Sequence, residues 1–101
     1  MALHLVLHRP DPTADHETAE DIRAILADAV WEVAESHWVP AEDALLVSSD
    51  LSSDYLLVHF RRALKRRGAP DPTFLFVAPL AARPAMLGLP AEAEGWIEAA
   101  L

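Results

Sequence analysis

Six residues of this chain carry groups that proteins use for ligand binding and acid–base chemistry: an imidazole, a guanidinium, hydroxyls and carboxylates. They fall in two segments, and each segment follows an apolar run that we interpret as a strand. The carboxyl ends of parallel strands lie at one edge of a sheet, where ligands bind in α/β proteins. We therefore expect a phosphate or carboxylate site at this edge, with backbone N–H groups of the following helix as further donors. Its candidate residues are His8, Arg9 and Asp11 after the first strand and Ser48, Ser49 and Asp50 after the second.

Other interpretations of these residues stay open. The serine-rich triplets at 48–50 and 52–54 precede the second predicted helix, where serine and aspartate commonly act as N-caps. A Ser–His–Asp arrangement for acyl transfer can also be drawn from them, but the sequence shows no Gly-x-Ser-x-Gly turn and no oxyanion loop. Arg83 follows the third predicted strand and would lie at the same edge. Capping and anion binding remain the two alternatives.

The five histidines do not form a metal-binding pattern. His4 and His8 share one face of the first strand but lie about 13 Å apart, at roughly 3.3 Å per residue, too far to hold one ion. No two histidines are spaced four residues apart on a predicted helix, and the chain has no cysteine. We therefore expect no metal site and no cofactor.

The charges of the chain are divided between two parts of the sequence. The 101 residues include 16 acidic and 8 basic side chains, for a net charge of −8. Residues 11–54 hold twelve of the acids and a single arginine, whereas residues 61–67 hold five of the basic residues and no acid. The excess of acid argues against nucleic acid and against anionic membrane surfaces as partners.

The basic run is a candidate partner-binding surface through Arg61, Arg62, Lys65 and Arg66. It would contact phosphates or an acidic protein surface. The alternative is that these cations stabilise the C-terminus of the second helix and keep its outer face solvated. The polarised charge also suits self-association, with the basic helix of one subunit against the acidic helix of another.

Two tryptophans form a second candidate partner-binding surface. Trp31 and Trp38 are seven residues apart and fall on one face of the predicted first helix, next to alanines. Aromatic and small residues on one face are typical of an interface. The same face could instead hold the third helix.

The predicted elements alternate between strand and helix. Apolar runs predict strands at 3–8, 44–48 and 73–78, and apolar residues at spacings of three and four predict helices at 15–37, 51–67 and 91–101. This order favours an α/β fold with a three-stranded, mainly parallel sheet, two long helices and a short C-terminal helix. The alternative is that residues 30–38 form a strand, which gives a ferredoxin-like α+β order, β-α-β-β-α-β.

Length and hydropathy indicate one domain, 1–101, without a membrane span. The apolar run at the N-terminus has no basic leader and is too short for a signal peptide, so we expect a cytoplasmic protein.

The first half loosely resembles the β-α-β unit of the tautomerases and of the trimeric chorismate mutases. The shared features are a leading strand, a helix of six turns and residues 39–43 (VPAED) before the next strand. The tautomerases carry a proline directly after the initiator methionine, and this chain has Ala2. The resemblance implies at most an isomerase-like activity, and no residue roles are carried over from it.

Together these features predict a small acidic domain that acts through protein–protein contact. It would work as a homo-oligomer or as the acidic partner of a basic protein, a class that includes immunity and antitoxin-like roles. The alternative is a small enzyme or ligand-binding domain, isomerase-like or anion-binding, with its site near His8, Arg9, Ser48 and Ser49. The sequence does not decide whether the chain is an enzyme.

Overall fold

The computed structural model describes residues 2–82 and 84–101. Four strands and three helices follow one another along this part of the chain. They are β1 (Ala2–Arg9), α1 (His16–Val30), β2 (Ser36–Ala41), β3 (Ala44–Ser49), α2 (Ser53–Arg66), β4 (Phe74–Leu80) and α3 (Ala91–Ala100).

The four strands form one sheet in the order β2-β3-β1-β4, and every neighbouring pair is antiparallel. β1 lies inside the sheet, so that Leu3 is paired with Ser48 on one side and with Leu80 on the other. The fold is therefore α+β. The prediction of a three-stranded, mainly parallel sheet is wrong.

The error arises at the predicted helix 15–37, because α1 ends at Val30 and the chain enters β2 at Ser36. Neither glycine nor proline interrupts this stretch, so the sequence carries no local stop signal. Pairing with β3 decides the outcome: Trp38 lies opposite Leu46, and β-branched and aromatic side chains fit such a surface. The first six elements follow the β-α-β-β-α-β order that was the alternative.

Helices α1 and α2 pack on one face of the sheet. Their ends carry ordinary signals: the Asp15 side chain accepts from the N–H of Thr18, the Ser52 side chain accepts from the N–H of Tyr55, and Gly68 follows α2 with a φ of 71°. The buried side chains between the helices and the sheet form the main core. They are Val6, Ile22, Ile25, Leu26, Ala29, Val30, Leu45, Val47, Leu56, Phe60, Ala63 and Leu64.

Helix α3 covers only one end of the opposite sheet face. There Ile97 is buried in a cluster with Leu3 and Leu46, and the Trp96 indole N–H donates to the Ser36 hydroxyl at 3.2 Å. At the other end the sheet face stays open, since Phe76, the cross-strand partner of Leu7, is 53% exposed. We call this open part the bare end of the sheet.

Each edge strand of the sheet contains a proline, Pro40 in β2 and Pro79 in β4. Proline cannot donate to a further strand, so both edges resist extension by another chain. No helix within the described part of the chain has the length and hydropathy needed to cross a lipid bilayer.

Candidate functional site

The residues of the predicted anion site lie at opposite ends of the sheet. Because β1 and β3 are antiparallel, Ala2 lies opposite Ser49, whereas Leu7 lies opposite Ala44. His8 is therefore about 20 Å along the strands from Ser49, at roughly 3.3 Å per residue. The prediction that these groups converge depended on parallel strands, and the antiparallel sheet separates them.

The serines of the predicted anion site lie at one end of the sheet, where the Ser49 hydroxyl forms hydrogen bonds within the fold. Ser49 is buried, and its hydroxyl donates to the Val33 carbonyl at 2.7 Å and accepts from the Leu51 N–H at 3.2 Å. Ser48 is also buried and belongs to the opposite face of the strand, where its register partner in β2 is Ser36. Asp50 is exposed beside them. These bonds fix the chain between β3 and α2.

Asp11 has a local role at the other end. Its carboxylate accepts from the N–H and the hydroxyl of Thr13 at 2.9 and 2.7 Å, and these bonds lower the pKa of Asp11. This arrangement stabilises the turn after β1. Arg9 is exposed at the end of β1, and Arg83 lies outside the described residues.

His8 is buried in a cluster of charged groups rather than in an anion pocket. Arg23 lies 2.7 Å from Glu20, 3.7 Å from Glu42 and 3.8 Å from Asp43. Burial lowers the pKa of His8, while the Asp43 carboxylate opposes this shift and Arg23 adds to it. Three carboxylates surround one guanidinium here, so an added anion would be repelled.

The structure also brings together a pair that sequence reasoning missed, His4 and Ser53. The imidazole Nδ1 of His4 lies 2.9 Å from the Ser53 hydroxyl, which links β1 to the first turn of α2. His4 is buried, and its Nε2 has no hydrogen-bond partner within the described residues. The alternation of β1 placed His4 and His8 on one face, but nothing in the sequence indicated that α2 begins above His4.

The two tryptophans do not share a surface. Trp31 lies in the turn after α1, is 68% exposed and packs edge-on against His37, with ring centroids 4.6 Å apart. Burial lowers the pKa of His37. Trp38 points to the other side of the sheet and packs in the cluster under α3. Only Trp31 is available to a partner.

The outer surface of α1 and α2 carries two opposite charge stripes side by side. The acidic stripe consists of the exposed α1 residues Glu17, Glu20, Asp21 and Asp28, and the basic stripe consists of the exposed α2 residues Arg61, Arg62, Lys65 and Arg66. Where the two helices meet, Arg67 donates to Asp28 at 2.8 Å. Within residues 2–82 and 84–101, no member of the basic stripe forms an ion pair.

A shallow groove of about 250 Å³ runs between the stripes. It is lined from α1 and the turn after it by Ile25, Asp28, Ala29 and Glu32, and from α2 and its end by Ala63, Arg66 and Arg67. The surface as a whole is suited to contact with a molecule that carries a basic and an acidic region next to each other. We call the outer surface of the two helices, with both stripes and this groove, the helix face.

The described residues contain no group of three or more histidine, aspartate or glutamate side chains placed to hold a metal ion. Comparison of the chain with protein-family models, with curated proteins and with solved structures finds no match.

Proposed function

We propose that this chain is a cytoplasmic domain that acts through protein–protein contact and that the helix face is its contact surface. One observation carries the proposal: the four cations of the basic stripe are exposed and make no ion pair within the described residues, and their helix packs against the helix that carries the four exposed acids. Charges arranged in this way select and orient a partner more than they add affinity.

Stabilisation of α2 alone does not account for the basic stripe. Cations favour the last turn of a helix, which here contains Lys65 and Arg66. Arg61 and Arg62 lie more than one turn before the end of α2, where this effect has faded. Their exposed charges therefore support a contact role.

The same surface offers apolar contact as well. Tyr55 and Val58 on α2 are 53% and 49% exposed. Val58 also lines a depression of about 210 Å³ together with Arg61, Arg62 and Lys65. Aromatic and aliphatic side chains surrounded by charge are typical of a contact surface.

Two kinds of partner suit the helix face: a second copy of the chain or a different protein of complementary charge. Immunity and antitoxin-like roles belong to this class. An anion-binding or isomerase-like function has less support, because His8 and Arg9 lie far from Ser48 and Ser49.

The test is a capture experiment with matched charge variants. The wild-type chain, Arg62→Glu and Arg9→Glu are immobilised and exposed to an extract of the source cells that also contains the soluble chain itself. Both variants change the net charge by the same amount, but Arg9 lies at the end of β1 and outside the helix face. We expect wild type and Arg9→Glu to retain the same protein, identified by mass spectrometry, and Arg62→Glu to lose it.

An equal set of retained proteins for wild type and Arg62→Glu would contradict the proposal. A protein lost only with Arg9→Glu would move the contact to the end of β1.

A further inference from the structure

We propose that the partner on the helix face is a second copy of this chain, related by a two-fold axis that runs along the groove between α1 and α2. This inference rests on the proposed function and names its partner. Two-fold interfaces use the same patch on both subunits, so the patch must be complementary to itself.

The layout of the stripes meets this requirement for one orientation only. A two-fold axis that lies in the interface and runs parallel to the helices places α1 of each copy over α2 of the other. The acidic stripe of each copy then lies on the basic stripe of its partner. An axis in the same plane but across the helices places acid on acid and base on base. The first arrangement therefore forms two contacts between an acidic and a basic stripe, and the second arrangement forms none.

Charge balance favours the helix face over the remaining surface. The acidic stripe contributes −4 and the basic stripe +4, so the two together are neutral, although the chain carries a net charge of −8. Two copies that approach through other surfaces meet the excess of acid on both sides. The helix face is a place where this repulsion is offset.

The exposed apolar residues fit the same axis. Helix α1 connects β1 to β2 and helix α2 connects β3 to β4, and each time the two strands run in the same direction with one strand between them. Because β1 and β3 run in opposite directions, α1 and α2 do as well. The C-terminal end of α1 and the N-terminal end of α2 therefore lie at the same end of the sheet. The Ser49 hydroxyl links the two regions, because it donates to the Val33 carbonyl just after α1 and accepts from the Leu51 N–H just before α2. The axis then brings Trp31 of one copy toward Tyr55 and Val58 of the other, which supplies buried apolar area.

The orientation predicts which charges meet. Because the helices of the two copies are antiparallel across the interface, the start of α1 faces the end of α2. Glu17 and Asp21 of one copy thus lie at the same end of the interface as Lys65 and Arg66 of the other. None of these four side chains forms an ion pair within the described part of the chain.

A charge exchange between subunits tests this arrangement. One variant carries Lys65→Glu and Arg66→Glu, and the other carries Glu17→Lys and Asp21→Lys. Each alone places like charges at both contacts of a homodimer, whereas a mixture of the two places unlike charges at both. A third chain with all four substitutions restores the match within its own homodimer.

Sedimentation at low salt measures the outcome. We expect wild type and the four-fold variant to have about twice the mass of 11.1 kDa at micromolar concentration, both double variants to be monomers, and their mixture to form a one-to-one dimer. Raising the ionic strength from 50 to 500 mM should weaken the wild-type dimer by about tenfold or more, since screening acts on exposed charges. Circular dichroism and thermal unfolding verify that each variant folds.

Three results would overturn the inference. They are a wild-type monomer at all concentrations, double variants that dimerise like wild type, or loss of the dimer with Phe76→Glu, which would move the contact to the bare end of the sheet. If the chain is a monomer but Arg62 still governs capture of another protein, this inference fails and the proposed function stands. If Arg62 governs neither, both fail.

Discussion

At the scale of single residues, His8 shows how burial couples this fold to pH. In the folded chain, desolvation holds the pKa of His8 below its ordinary value of 6.5, with Asp43 opposing the shift and Arg23 adding to it. Unfolding returns the imidazole to water and to its ordinary pKa. As pH falls below about 6.5, the unfolded state binds more protons than the folded state, and the folded state loses stability.

We expect the free energy of unfolding of the wild type to decrease between pH 8 and pH 5, and to decrease less in His8→Gln. His37 contributes in the same direction, because burial also lowers its pKa, so some of the decrease should remain. Urea unfolding at several pH values measures both slopes. His16→Gln, at an exposed position, is the control and should follow the wild type. If the free energy of unfolding of wild type and of His8→Gln changed equally with pH, this would contradict the lowered pKa of His8.

Local residue roles were the part of the structure most open to sequence reasoning. Asp15 caps α1 and Gly68 ends α2, as their types and positions predict. Ser49 is held by a hydrogen bond to Val33, a contact between distant segments that no local pattern specifies. The same holds for the pair of His4 and Ser53, because its geometry depends on the whole sheet.

At the scale of elements, α3 divides the second face of the sheet into a covered and an open part. Ile97 on α3 is buried, and so is Leu3 beneath it on β1. Phe76 lies on the same sheet face and is 53% exposed. Apolar side chains on one face thus contribute unequally to stability, in proportion to the area that folding removes from water.

We expect Ile97→Ala to lower the free energy of unfolding by about 2–4 kcal/mol, because it removes buried methyl groups and leaves a cavity. Phe76→Ala, on the open part of the same face, should cost less than about 1 kcal/mol, despite the larger side chain removed. Denaturant unfolding of both variants measures the difference. Equal losses would mean that α3 does not cover the sheet as described.

The order of the elements was predictable except where tertiary pairing overrides local pattern. The helices at 53–66 and 91–100 and the strands β1, β3 and β4 fall within a few residues of their predicted positions. The stretch 31–41 does not, because its apolar spacing fits about two more turns of helix as well as a strand beside β3. Because this stretch forms β2 and not the end of a helix, the sheet is antiparallel and not parallel, and the residues of the predicted anion site lie apart.

At the scale of the whole molecule, the sheet edges determine which assemblies are possible. Pro40 and Pro79 lie within the two outer strands and have no N–H to donate, so a second copy cannot easily continue the sheet. Assembly through a face with two-fold symmetry stops at a defined size, whereas pairing of edges does not.

We expect a variant with Pro40→Val and Pro79→Val to form assemblies that grow with concentration and time, because it gains two edge N–H groups and a higher strand propensity. Light scattering of wild type and variant, with Pro12→Val in the turn after β1 as the control, measures this growth. A variant that scatters like the wild type would show that the prolines do not protect the edges.

The inner position of β1 has a consequence for synthesis of the chain. Leu3 pairs with Ser48 on one side and with Leu80 on the other, so β1 leaves the ribosome before both of the strands that it pairs with. Until both are present its leucines face water, and the long loops that must close make folding slow for a domain of this size. The segment from Ala2 to Arg9 therefore exposes apolar side chains and unpaired strand edges until β4 has been synthesised.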